Sequence, residues 1–147
     1  MSRSGFTLTE LVVVVVIIGV LLAFGMPRFS DWLVRESVRS ARREVTTQLA
    51  RARAMAVHRG CFAVLHLDER TSRVWVTACR VQGTGTETVG TVDSLVDRFG
   101  ASFRADGDSV LFTPQGLALA TSSISLTFSK GDYSTSLEIT PVGRPVW

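Results

Sequence analysis

A chain of 147 residues has room for one domain and an anchor, which excludes a second independent core. Its net charge of +3 is local: residues 28–59 carry eight Arg against Asp31, Glu36 and Glu44, whereas residues 60–147 hold seven basic and nine acidic groups. Lys130 is the single lysine beside fifteen Arg, which points to a genome rich in G and C rather than to a binding function.

The amino-terminal stretch from Phe6 to Met26 is almost wholly apolar after Glu10. As a helix it reaches about 30 Å, the thickness of a bilayer's hydrocarbon core. A secretory signal peptide is the alternative, with Arg3 as its charge and Ala23 and Gly25 as a small-residue cleavage site. Glu10 argues against it, because a carboxylate at the start of an apolar run is costly in lipid without a partner. The run Gly5-Phe6-Thr7-Leu8-Thr9-Glu10-Leu11, continued by valines and then Pro27, resembles the class III leader of type IV pilins and type II secretion pseudopilins. That resemblance implies cleavage after Gly5 by a prepilin peptidase and methylation of the new amino terminus at Phe6. It also implies an assembly role for Glu10, whose carboxylate would neutralise the Phe6 amine of a neighbouring subunit and offset the desolvation of both charges. The expected segments are a leader at 1–5, a transmembrane and assembly helix at 6–27, and a periplasmic domain at 28–147. Charge counting opposes this orientation, since Arg28, Arg35, Arg39, Arg42 and Arg43 follow the span and only Arg3 and the amino terminus precede it. The leader match outweighs it and places the chain in the inner membrane with its carboxyl-terminal domain in the periplasm.

Pro27 lacks the helical N–H donor and clashes with the preceding turn, so a helix break or kink is expected there. Beyond it, Val34, Val38, Ala41, Val45, Leu49, Ala52 and Ala56 recur at steps of three and four, the signature of an amphipathic helix over 28–59. His58-Arg59-Gly60 supplies its stop. The opposite face, with Arg35, Arg39, Arg42, Arg43, Arg51 and Arg53, reads as solvated with Glu36 and Glu44 as local partners. A phosphate-contacting stripe is the sharper alternative, though it lacks exposed aromatics to stack on bases.

Residues 61–67 and 73–79 are β-prone and the polar segment 68–72 between them is turn-like, which predicts a hairpin. Residues 83–90 read as a flexible glycine-rich loop, while 110–112, 124–128 and 136–140 read as later strands. Trp75 is expected in the core. The helix ending Ala52-Arg53-Ala54-Met55-Ala56-Val57-His58-Arg59-Gly60, the element Phe112-Thr113-Pro114-Gln115-Gly116 and the final Pro141-Val142-Gly143-Arg144 look like the GspH/FimT type of minor pilin. The resemblance implies an α+β, pilin-like fold in which a long helix, half membrane-bound and half amphipathic, packs on an antiparallel β-sheet domain spanning 60–147.

No GxSxG, HExxH or nucleophile–histidine arrangement is present, so neither an enzyme nor a cofactor is expected. A zinc site would need Cys61, Cys79, His58 and His66 together, and His58 ends a helix while the others lie on strands. The expected function is that of a minor subunit initiating or tipping a type IV pilus or a type II secretion pseudopilus, with other pilins as partners. DNA uptake is the alternative. Some FimT-type proteins carry a basic Gly-Arg-x-Arg element, of which Gly143-Arg144-Pro145-Val146 keeps the first arginine and lacks the second, leaving Arg144 as the candidate DNA contact. Finally, a turn centred on Arg70 sets residues whose numbers sum to 140 opposite one another, which predicts a Cys61–Cys79 disulfide with Cα atoms about 4.5 Å apart. A register shifted by one residue would point the two side chains to opposite faces and leave free thiols.

Overall fold

The computed structural model describes residues 7–146, apart from the side chains of residues 24–28. The leader residues Gly5 and Phe6 lie outside the described residues. Helix α1 covers Leu8–Arg59, and the chain divides into two compact units, Met1–Leu33 and Val34–Trp147.

In the first unit the apolar side chains from Leu11 to Leu22 are all exposed. Phe29 and Trp32, one turn apart, stack with ring centroids 5.9 Å apart. The helical assignment runs through Pro27 without interruption, so the expected break does not occur as a gap in the helix. A proline removes one backbone hydrogen bond, and the flanking turns on either side keep theirs. Among the described residues no helix is long and apolar enough to cross a membrane.

In the second unit α1 turns the predicted stripe inward: Val38, Ala41, Val45, Leu49, Ala52 and Ala56 are buried, and Val34 is half-buried. Small residues on that stripe let the helix lie close to its sheets. The helix ends in a Schellman motif. Gly60 adopts φ 64°, its N–H donates to the Val57 carbonyl (3.3 Å), and the Cys61 N–H donates to the Ala56 carbonyl (3.2 Å).

The remaining chain forms β1 (Ala63–Asp68), β2 (Arg73–Cys79), β3 (Thr86–Ser94), α2 (Leu95–Phe99), β4 (Ser102–Ala105), β5 (Ser109–Phe112), β6 (Ile124–Lys130), β7 (Tyr133–Ile139) and β8 (Pro145–Val146). These strands make two four-stranded antiparallel sheets, ordered β3-β2-β1-β5 and β4-β6-β7-β8. Their inward faces alternate strictly, with Leu65, Val76 and Phe112 on the first and Phe103, Phe128 and Leu137 on the second, all buried. One core cluster joins these residues to the helix stripe. Each such side chain contributes about 1.5–3 kcal/mol by leaving water.

Several expectations need correction. Residues 86–90 belong to β3 rather than to a loop, because the free edge of β2 takes them up from Thr86↔Cys79 to Val89↔Val76. Short α2, β4 and β8 were not foreseen. Trp75 is not in the core: β2 alternates with Val74, Val76 and Ala78 inside, so Trp75 lies on the outer face, stacked on His66 of β1 with centroids 5.0 Å apart.

The β1–β2 turn joins the two sheets. Asp68 accepts from the hydroxyl of Thr71 (2.5 Å) and the backbone N–H of Arg70 (3.0 Å), and these bonds, the Thr71 hydroxyl first, hold its carboxyl below the usual carboxylate range. Ser72 is buried at φ 50°, a left-handed conformation uncommon for a residue with a Cβ. Four bonds hold it there: its N–H and its hydroxyl donate to the Glu69 carbonyl, its carbonyl accepts from the Leu95 N–H, and its hydroxyl accepts from the Phe103 N–H of the second sheet.

Candidate functional sites at the helix ends

The first site is the amino-terminal turn of α1. Thr7 precedes the first helical residue and Glu10 is the third residue of the helix. The Glu10 N–H donates to the Thr7 hydroxyl (3.2 Å), and a Glu10 carboxylate oxygen accepts from the Thr7 N–H (3.5 Å) and hydroxyl (3.4 Å). This reciprocal pairing is a capping box. The sequence reading gave Glu10 an intermolecular task only, yet the spacing Thr7-Leu8-Thr9-Glu10 already carried the capping signal. Glu10 is exposed, so the carboxylate that holds the helix start also remains open to a partner.

The second site is the carboxyl end of α1. Cys61 and Cys79 form a disulfide with Cα atoms 6.3 Å apart. The pairing is as expected and the geometry is not. The observed register, Asp68↔Arg73 through Ala63↔Ala78, gives number sums of 141 rather than 140, because the turn holds four residues. Cys79 therefore projects from the outer face, and strand continuation would aim residue 61 at the inner one. The bridge closes because Cys61 is not in β1: the Schellman motif fixes it after Gly60, where the chain is still turning out of the helix. Cα atoms at that separation are within the range a disulfide accepts. The bond consumes both thiolates that the zinc reading required. Arg59 reinforces the joint by donating to the Cys79 carbonyl (2.5 Å) and to Glu87 (2.7 Å).

The third site gathers the two later motif segments around Arg53, a residue the sequence reading placed on a solvated face. Its guanidinium donates to the Gly116 carbonyl (2.6 Å) and the Val142 carbonyl (3.4 Å), and lies 6.0 Å from the centre of the Phe112 ring. Gly143 is buried at φ 78°, and a Cβ there would sit 2.7 Å from Phe112 and 2.9 Å from Ala118, so only glycine fits. Arg144, the candidate DNA contact, is exposed; its N–H donates to the Thr140 hydroxyl (3.0 Å) and its carbonyl accepts from the Thr140 N–H (2.9 Å). The rest of that face is largely solvated as expected, with Arg35, Arg39, Arg43 and Arg51 exposed. Arg43 pairs with Glu36 (3.1 Å), Arg42 donates to the Thr135 hydroxyl (3.3 Å) and Arg35 stands 5.5 Å from the Tyr133 ring centre.

A buried polar cluster completes the helix attachments. Gln48, in line with the apolar stripe, donates to Asp93 (2.5 Å) and Glu44 (3.1 Å), while Arg98 pairs with the same two carboxylates (3.1 and 3.4 Å). Lys130 donates to the Ser37 hydroxyl (3.0 Å) and to the Phe99 carbonyl (2.7 Å), tying α1 to the end of α2. None of these arrangements pairs a nucleophile with a base. They fasten a helix to two sheets.

Comparison with known proteins agrees with such a scaffold. Residues 1–26 match the prokaryotic N-terminal methylation motif, and residues 41–143 match the family described as type II transport protein GspH. The pilin-like protein PilA1 of Thermus thermophilus is 40% identical over 67 residues, 46% of this chain and 42% of PilA1. The type IV major fimbrial protein FimA of Dichelobacter nodosus is 50% identical over 36 residues, 24% of this chain and 22% of FimA, so the chain spans less than half the length of these relatives. In structure the chain is similar to the type IV minor pilin FimU of Pseudomonas aeruginosa, with TM-score 0.60 and 16% identity over 76% of this chain and 88% of FimU. It is also similar to the minor pseudopilin EpsH of the Vibrio cholerae type 2 secretion system, with TM-score 0.51 and 13% identity over 73% of this chain and 91% of EpsH. With the methylation motif at its head and the family match covering more than half its length, the chain belongs to the family described as type II transport protein GspH.

Proposed function

We propose that the chain is a minor subunit that helps initiate or tip a type IV pilus or a type II secretion pseudopilus. A prepilin peptidase removes residues 1–5, the methylated terminus is Phe6, and residues 6–27 anchor the protein in the inner membrane until it enters the filament among other pilins. Residues 28–147 then form the periplasmic domain. The observation that carries this reading is the all-round exposure of Leu11 to Leu22 behind an exposed Glu10. A helix that is apolar on every face is stable in water only if something covers it. In sequence the apolar run continues to Met26, long enough for lipid to cover it first and neighbouring helices later. Amino-terminal sequencing and intact mass of membrane-extracted protein test the reading. A start at methylated Phe6 is expected, and a start after Gly25 overturns it.

DNA uptake is the second reading, and Arg144 carries it, exposed on a turn held by its own backbone bonds. Arg35, Arg39, Arg43 and Arg51 of α1 are also exposed, without aromatic side chains placed to stack on bases. Mobility shifts with duplex DNA over a salt series test this. Weak binding is expected, and whatever binding is found should fall with Arg144→Ala.

A further inference from the structure

At the seam between the two sheets, lined by no residue of α1, lies a polar groove of about 640 Å³. Arg70, Arg73 and Arg104 line it. All three are exposed; Arg70 also acts electrostatically on the neighbouring Asp68. The floor is hydroxylated. Ser102 faces Ser129 across β4 and β6, with hydroxyls 3.4 Å apart, and Arg104 faces Thr127. The rows continue onto β7, where Ser134 lies opposite Ser129 and Ser136 opposite Thr127, all on the outer face. Serine has no particular preference for strands, and beyond these rows the same face ends at Glu138, opposite Ser125.

We propose that this groove and the adjoining hydroxyl face bind an acidic glycan, a saccharide chain bearing carboxylates. Guanidinium forks recognise carboxylates in bidentate fashion, and hydroxyls that both donate and accept match the hydroxyls of sugar rings. The alternatives fit less well. A peptide added as a strand would need an open sheet edge, but the outward N–H groups of β4 are taken: Phe103 donates to Ser72 (3.3 Å) and Ala105 to Glu69 (3.5 Å). DNA presents a phosphate about every 3.4 Å along each strand, and the carboxylates of Glu69 and Asp97 in the groove wall repel so dense a charge. A glycan with one carboxylate per sugar can place its charges at the arginines and its hydroxyls elsewhere.

The test uses the full chain in detergent micelles, titrated calorimetrically with an oligogalacturonate and with its methyl ester, which lacks the charge. Saturable binding of the acid is expected, at least tenfold weaker for the ester. Arg73→Gln and Arg104→Gln should each weaken it at least fivefold, whereas Arg80→Gln, an exposed arginine outside the groove, should leave it unchanged. No saturable binding, equal affinity for the ester, indifference to the groove variants, or tighter binding of polyglutamate or duplex DNA than of the oligogalacturonate would each overturn the proposal.

Discussion

Two stretches of helix α1 use nearly the same residues to opposite ends. Between Leu11 and Leu22 the valines, leucines and isoleucines are 45–66% exposed, while Val38, Ala41 and Val45 further along are fully buried. Composition therefore does not decide exposure; pattern does. In the first stretch apolar residues follow one another without a polar face, so no single sheet could cover them. In the second they recur every three or four residues, and polar side chains between them find partners on the domain, as Arg42, Gln48 and Arg53 do. A helix built the first way depends on lipid or on other chains, and one built the second way is completed by its own domain.

The largest effects should come from breaking the second stretch's surroundings. Phe128→Ala is expected to cost about 3–5 kcal/mol, read as a large fall in thermal midpoint by circular dichroism. Gly143→Ala forces a Cβ against Phe112 and Ala118 and should cost about 1–3 kcal/mol. A variant as stable as the parent would show that the turn at 140–144 is not held by close packing. Breaking the Cys61–Cys79 bond, which spans 18 positions, should cost about 3 kcal/mol, seen as a lower denaturant midpoint for Cys79→Ser or for reduced protein.

The first stretch should respond differently. Leu21→Ala is expected to change the stability of the sheet domain by less than about 0.5 kcal/mol, since it leaves that core untouched, and a larger shift would end the contrast. At Glu10 two variants separate the roles of one carboxylate. Glu10→Gln can keep the capping box and removes the charge, whereas Glu10→Ala removes both. If charge pairing with a neighbour's amine drives assembly, both variants deplete the subunit from sheared filaments. If the cap alone matters, only Glu10→Ala does.

The smallest effect is on pH. Asp68 is held below its ordinary range chiefly by the Thr71 hydroxyl, and His66 below its own by burial. Both folded forms therefore bind protons less readily than the unfolded chain. Their contributions are present at neutral pH and decline on acidification, first as pH falls through the ordinary histidine range and then through the carboxylate range. The thermal midpoint should fall over both windows, and Asp68→Asn should flatten the lower one.

Much of this was legible along the chain. The buried stripe from Val38 to Ala56, the helix stop at Gly60, the turn at 68–72 and the Cys61–Cys79 partnership follow from spacing and turn chemistry over short distances. Less was legible where partners are far apart in sequence. The size of Trp75 favours the core, but its neighbours Val74 and Val76 claim the inner face, and the alternation of a strand leaves it outside.

The sequence by itself determined the long helix, where it stops, that its first part is apolar all round, and that the two cysteines pair. Only the tertiary structure decided that there are two sheets, that residues 86–94 form an edge strand, that the disulfide joins a helix cap to a strand, and that Arg53 gathers two distant segments. The reason is range. Local signals act through backbone hydrogen bonds and side-chain periods a few residues long, whereas strand partners and long arginine side chains are selected by which surfaces the collapsed core leaves unpaired.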